Sequence, residues 1–375
     1  MAVTVEAVQA ALKGLIDPNT KIDYVTAKNV KNLRVEDGDI SLEIALGYPA
    51  KSQFEMIRKS IIQVLRELPD VKNVSVNVSS QIVAHSVQRG VKLLPGVKNI
   101  IAVASGKGGV GKSTTTANLA VSLARMGFSV GVLDADIYGP SMPIMFDVEN
   151  EKPISIEVDG KSKMKPIESY EIKILSIGFF TSPSQAVIWR GPMAAKALNQ
   201  MIFDADWGEL DFLLIDLPPG TGDIHLSIMQ SLPITGAVVV STPQAVALAD
   251  AKKGVAMFLS EAINVPVLGI IENMAYFTPE ELSNNKYYIF GQEGAKNLAT
   301  DLNVPFLGEV PIVQSIREAG DYGRPAAMQE GSVIESVFQE ITRNVVQQTV
   351  ARNESLPATE AIKITTMAGC SAVKK

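Results

Sequence analysis

The stretch Ile100–Gly127, IIAVASGKGGVGKSTTTANLAVSLARMG, decides the fold. Ile100–Ser105 is a short apolar run of the kind that makes a buried strand. Gly106-Lys107-Gly108-Gly109-Val110-Gly111-Lys112-Ser113 follows and fits the spacing G-x4-G-K-[ST]. Leu119, Ala120 and Leu123 then fall on one helical face, and Gly127 stops the helix. Strand, glycine loop and helix in that order make a cradle for a chain of phosphates. Glycines let consecutive backbone N–H groups wrap phosphate oxygens without Cβ collisions, and the helix N-terminus adds partial positive charge. Gly106 through Ser113 and Thr114 are therefore expected to bind ATP. Lys112 is expected to reach the terminal phosphates, and the Ser113 hydroxyl to be a ligand to Mg2+.

Working outward, short apolar runs recur at Ser129–Asp134, Phe212–Asp216, Gly236–Ser241, Val267–Glu272 and Pro305–Val310, with helical patterns between them. That alternation predicts an α/β domain with a doubly wound, mostly parallel sheet over residues 99–345. Two of these runs end in acid. Asp134-Ala135-Asp136 closes one, and Leu213-Leu214-Ile215-Asp216 leads into the stiff turn Leu217-Pro218-Pro219-Gly220 in the other. Carboxylates at the C-terminal ends of parallel strands lie beside the phosphate loop, where they can orient water or metal. Asp216 is expected in the magnesium shell, through water, and the Gly220 N–H near the γ-phosphate. Asn273, after a further strand, can both donate to and accept from a purine edge.

Residues 1–80 have a different texture. Val5, Val8, Leu12 and Leu15 recur at helical spacing; Asp37-Gly38 joins two strands; Phe54, Ile57, Ile61, Leu65 and Leu68 mark an amphipathic helix; Val74, Val76 and Val78 alternate as a strand. The order α-β-β-α-β predicts a small domain with two helices on one face of a sheet. Residues 81–98, with Gly90, Pro95 and Gly96, read as a linker, and residues 346–375 as a loosely ordered tail.

Composition bounds the chemistry. The chain has 375 residues, 46% of them apolar, and a net charge of −6, the wrong sign for a protein that mainly grips nucleic-acid backbones. One cysteine and two histidines exclude an intramolecular disulfide and make a zinc site or a histidine triad improbable. The N-terminal MAVTVEAVQAALKGL has no basic segment before an apolar run. No uninterrupted apolar span suits a membrane, so a cytoplasmic protein is expected.

The run Lys107–Ser113, KGGVGKS, resembles the deviant phosphate loop of the MinD/ParA/nitrogenase-reductase class of ATPases. Five ordered motifs narrow the match: DADIYGPSMP (134–143), VIWRGPM (187–193), DLPPGTGD (216–223), STPQAVALADAKKG (241–254) and ENMAYF (272–277). Together they resemble the Mrp/ApbC family of iron–sulfur cluster carrier ATPases over residues 98–345. Residues 5–78 resemble the SufT/PaaD-type iron–sulfur assembly domain. The resemblance implies a homodimer in which Lys107 crosses to the partner's phosphates, Asp136 activates water, Asn273 contacts adenine and Pro311 lies near the base. It implies delivery of clusters to apo iron–sulfur proteins.

One departure bears on the cargo. The Cys-x-x-Cys pair that usually follows ENM-x-YF in that family is absent: Thr278–Asn285 carries no sulfur. Lys51 stands about where the small domain type often has cysteine, leaving Cys370 as the one thiol for an iron–sulfur cluster. An ordinary cluster needs four protein ligands. Two other functions compete: a MinD/ParA-like positioning ATPase on membrane or DNA, and an ATP-dependent adaptor that no longer binds a cluster. The first would want a basic amphipathic terminus, which this acidic chain lacks.

Overall fold

A computed structural model describes residues 3–48, 50, 53–86, 94–180, 191–279, 282 and 285–359. The small N-terminal unit runs α1 (Val5–Lys13), β1 (Val30–Glu36), β2 (Asp39–Leu46), α2 (Phe54–Arg66) and β3 (Asn73–Ser80). Asp37 and Gly38 both take positive φ at the β1–β2 turn, as the dipeptide predicts. β2 pairs antiparallel with β1 and parallel with β3, and the buried Ile57, Ile61 and Leu65 stripe of α2 packs on β3.

The larger unit opens with β4 (Val97–Ala104), α3 (Lys112–Arg125), β5 (Val130–Asp134) and the short α4 (Met142–Met145). A hairpin of β6 (Ile154–Val158) and β7 (Lys161–Lys165) comes next, then β8 (Ile167–Ser169) and β9 (Ile172–Ser176). α5 (Gly191–Phe203), β10 (Leu210–Asp216), α6 (Asp223–Ser231), β11 (Gly236–Ser241) and α7 (Ala245–Leu259) continue the alternation. β12 (Val267–Phe277), α8 (Gly294–Asp301), β13 (Phe306–Ile312), α9 (Gln314–Asp321) and α10 (Val333–Ser355) complete it.

Eight strands form one sheet in the order β13-β12-β11-β4-β10-β5-β9-β8, parallel throughout except for the edge strand β8. Period two sorts each strand's side chains between two layers. Phe212, Leu214, Ile101 and Val132 join the core under α3 and α10, while Leu213, Ile215, Ile100 and Leu133 join the core under α5 to α8. Because both faces are covered, these strands read as unbroken apolar runs.

The α10 helix continues ten residues past position 345, beyond the expected start of a loose tail. Val345, Val346, Thr349 and Arg352 are buried, so its inner face still has a core to cover. Gly47 of the small unit meets Val350 so closely that a Cβ would stand 3.0 Å from the valine methyl, and the small unit's core runs into the layer beneath α10. Among the described residues no helix is long and apolar enough to cross a membrane.

Candidate nucleotide site

β4 lies in the middle of the sheet, and its chain leaves the C-terminal edge directly into the glycine loop. Gly109 and Gly111 both have φ of +82°, a region that costs a residue with a Cβ, and Gly111 caps α3. Gly106 is demanded by space: a Cβ there would lie 2.1 Å from the Asp250 carbonyl carbon of α7. The loop is thus clamped against α7 from one side. On the other, the Asn273 Nδ2 donates to the Val110 carbonyl at 2.8 Å. Gly108 and Gly109 are exposed at the tip beside Lys107, whose side chain makes no ion pair among the described residues.

Lys112, 6% exposed, turns back onto the strand ends. Its Nζ lies 2.7 Å from Asp216 Oδ2 and 3.6 Å from Asp136 Oδ2. The Ser113 hydroxyl donates to the same Asp216 Oδ2 at 2.6 Å, and Thr116 donates to Oδ1 at 2.8 Å. Asp216 is fully buried and holds one cation and two hydroxyls. Ser113 Oγ and the Asp216 carboxylate are hard oxygen donors side by side, a set that suits a magnesium ion completed by phosphate and water. Among the described residues no group of three or more His, Cys, Asp or Glu side chains is arranged to hold a metal by itself.

Asp134 pairs in register with Asp216 across β5 and β10. Its Oδ2 accepts from the N–H groups of Ser141 and Met142, each at 3.1 Å, and from the Ser176 hydroxyl at 2.8 Å. Burial and the neighbouring Asp216 carboxylate push its pKa up to about 7, against the pull of those donors and Lys112. Asp134 therefore folds the loop that carries Asp136. Asp136 accepts from the N–H groups of Tyr138 and Gly139 at 3.2 and 3.3 Å. Burial raises its pKa, only partly offset by Lys112.

Two adjoining hollows share Gly111, Thr114, Ser141 and Met145. One, of about 230 Å3, holds the glycine loop, Lys112, Ser113 and Asp136. The other, of about 660 Å3, is mostly apolar and is lined by Asn273, Met274, Ile289, Pro311, Ile316 and others. A polar hollow for phosphates opening into an apolar one is the shape a nucleotide fills.

Most of the expected residues converge here. The Gly220 N–H donates to the Ser105 carbonyl at 2.9 Å, and Gly220 at φ +94° closes the turn onto β4. Asn273 borders the larger hollow, yet its amide nitrogen braces the phosphate loop. Cys370, Lys51, residues 187–190 of the VIWRGPM run and most of Glu280–Asn284 lie outside the described residues. Two further residues join the site: Thr116, three residues beyond Ser113 and so on the same helix face, and Ser176, at the end of a five-residue strand whose pattern is faint in the sequence.

The family described as NUBPL iron-transfer P-loop NTPase matches residues 96–346. The chain belongs to it. Residues 5–78 match a second family, described as iron-sulfur cluster assembly protein. Relatives of this P-loop NTPase include an iron-sulfur cluster carrier protein of Aquifex aeolicus, 43% identical over 341 residues, or 86% of this chain and 91% of that one. Another from Escherichia coli K12 is 40% identical over 357 residues, covering 94% and 95%. A third, from Arabidopsis thaliana, is described as an iron-sulfur protein required for NADH dehydrogenase, mitochondrial. It is 48% identical over 256 residues, covering 68% and 80%. A solved nucleotide-binding protein from Archaeoglobus fulgidus, in complex with ADP, superposes with a TM-score of 0.53 at 40% identity, over 62% of this chain and 88% of that one.

Proposed function

We propose that the protein is a magnesium-dependent ATPase that carries iron–sulfur clusters to apoproteins, with nucleotide state coupled to homodimer geometry. The observation that carries the ATPase reading is the convergence of Lys112 and Ser113 on Asp216 Oδ2, at 2.7 and 2.6 Å, at the head of the glycine loop. Triphosphate entering the smaller hollow meets the loop N–H groups and draws Lys112 from carboxylate to phosphate. Ser113 and Asp216 would hold Mg2+, which when bound neutralises charge on the phosphate oxygens.

Asp136, which lines the smaller hollow beside Lys112, would hydrogen-bond a water in line with the γ-phosphorus and take up its proton as the water attacks and ADP leaves. Lys107 would cross a dimer seam and lend charge to the partner's triphosphate, a reading supported by its exposure and its lack of an ion pair among the described residues. Cluster carriage rests on family membership of both units and on the relatives' names. The thiols would come from Cys370, small thiols or the acceptor, since a dimer offers two cysteines in all. Anaerobic reconstitution with iron and sulfide tests it. Visible cluster absorbance and transfer to an apo-acceptor are expected; their absence, with ATP turnover intact, leaves the ATPase and removes the cargo.

A further inference from the structure

The β6–β7 hairpin takes no part in the nucleotide site, and its two faces differ sharply. Residues opposite one another in an antiparallel pair share a face. Ile154 faces Lys165, Ile156 faces Lys163 and Val158 faces Lys161, so one face joins three β-branched aliphatics to three lysines. Ile154 is 60% exposed, and Lys161 and Lys165 are exposed without an ion pair among the described residues. Lys163 approaches Asp206 at 3.7 Å. In a chain of net charge −6, this is a concentrated cationic and apolar surface.

The lysines are on the wrong strand to protect an edge. Lysine often blunts an exposed edge strand against unwanted pairing. Here β7, which carries them, is the covered strand: the Met164 N–H donates to the Asp204 carbonyl, and the Met164 carbonyl accepts from the Asp206 N–H. The free edge is β6, which pairs only with β7 among the described residues. Since Met164 points its backbone groups away from β6, its partner Ser155 points its own outward, and Glu157 two residues on does the same. The edge thus offers unpaired donors and acceptors beside an aliphatic row, with a lysine row behind it.

We infer that this hairpin docks an extended acidic polypeptide segment, which adds as a strand along β6 and sets its carboxylates against Lys161 and Lys165. Backbone bonds to an edge supply affinity in this mode, and side chains on one face supply selectivity. The inference is independent of the cluster reading, because it uses no residue of the nucleotide site.

The test titrates a fluorescein-labelled eight-residue peptide of alternating Glu and Val with the full chain, followed by anisotropy at low salt. Wild-type protein should bind, and the double variant Lys161→Glu, Lys165→Glu should bind at least about tenfold more weakly, with ATP turnover and melting temperature unchanged. Glu157→Pro, which removes an outward N–H together with a repelling charge, should weaken binding, whereas Glu157→Gln should not. Equal binding by wild-type and both lysine-reversed and proline variants would overturn the inference. So would lysine-dependent co-sedimentation with phosphatidylglycerol vesicles in the absence of peptide binding.

Discussion

Lys112 faces carboxylates at 2.7 and 3.6 Å. A triphosphate replaces those partners with a denser negative charge. Lys112→Ala removes a cation that lines the smaller hollow, and ATP affinity should fall about 100-fold or more, as a filter-binding or calorimetric titration would show. Asp136→Ala should leave nucleotide affinity near the wild-type value and slow turnover by about 100- to 10,000-fold. Normal hydrolysis by that variant would remove Asp136 from the water-activating role. The pH profile offers a second check. In the proposed step Asp136 acts as an anion, and burial raises its pKa, so activity should fall as pH falls, with an acid limb above the ordinary aspartate value of 3.8. The profile of kcat/KM against pH reports that limb for the free enzyme.

Elements hold these residues where the strand ends and helix start put them. Gly106 shows how tight the fit is: in Gly106→Ala the new methyl meets the Asp250 backbone, so α7 or the loop must move. Melting should report a loss of about 1–3 kcal/mol and weaker nucleotide binding. A second junction lies far from the site. His85 Nε2 stands 2.6 Å from Thr359 Oγ1 and Nδ1 stands 3.3 Å from Asn353 Oδ1, joining the segment after β3 to the end of α10. Burial, with Arg352 adding to it, lowers the His85 pKa from 6.5 to about 4. The folded state then binds fewer protons than the unfolded state between those values. Its contribution to stability is present above about pH 6.5 and is lost as pH falls toward 4. In His85→Asn, melting temperatures measured over that range should decline less steeply than in wild type.

At this scale the sequence was legible where one rule acted alone. The central strands were readable because burial on both faces leaves unbroken apolar runs, and Asp37-Gly38 marked its turn directly. The same dipeptide at Asp159-Gly160 turns the β6–β7 hairpin, but the strands beside it are short, lysine-rich and half-exposed, so their pattern is faint. β9 is only five residues long, and β8 only three. The Asn273 brace and the Gly220 bond to Ser105 were hidden for another reason: each joins segments more than 100 residues apart, and no local pattern encodes a long-range hydrogen bond.

At the scale of the whole molecule, the proposed hydrolysis is a property of two chains. In the proposed mechanism Asp136 and Lys112 serve the triphosphate of their own subunit, and Lys107 that of the partner. The most direct measurement mixes two inactive variants, Lys107→Ala and Asp136→Ala, and follows phosphate release. In a mixed dimer, the site of the Lys107→Ala subunit keeps its own Asp136 and receives the intact Lys107 of its neighbour. Random pairing makes half the dimers mixed, with one whole site of two, so turnover should recover to about a quarter of wild type. A mixture no more active than its components would contradict the account, because it would place Lys107 on its own subunit's nucleotide.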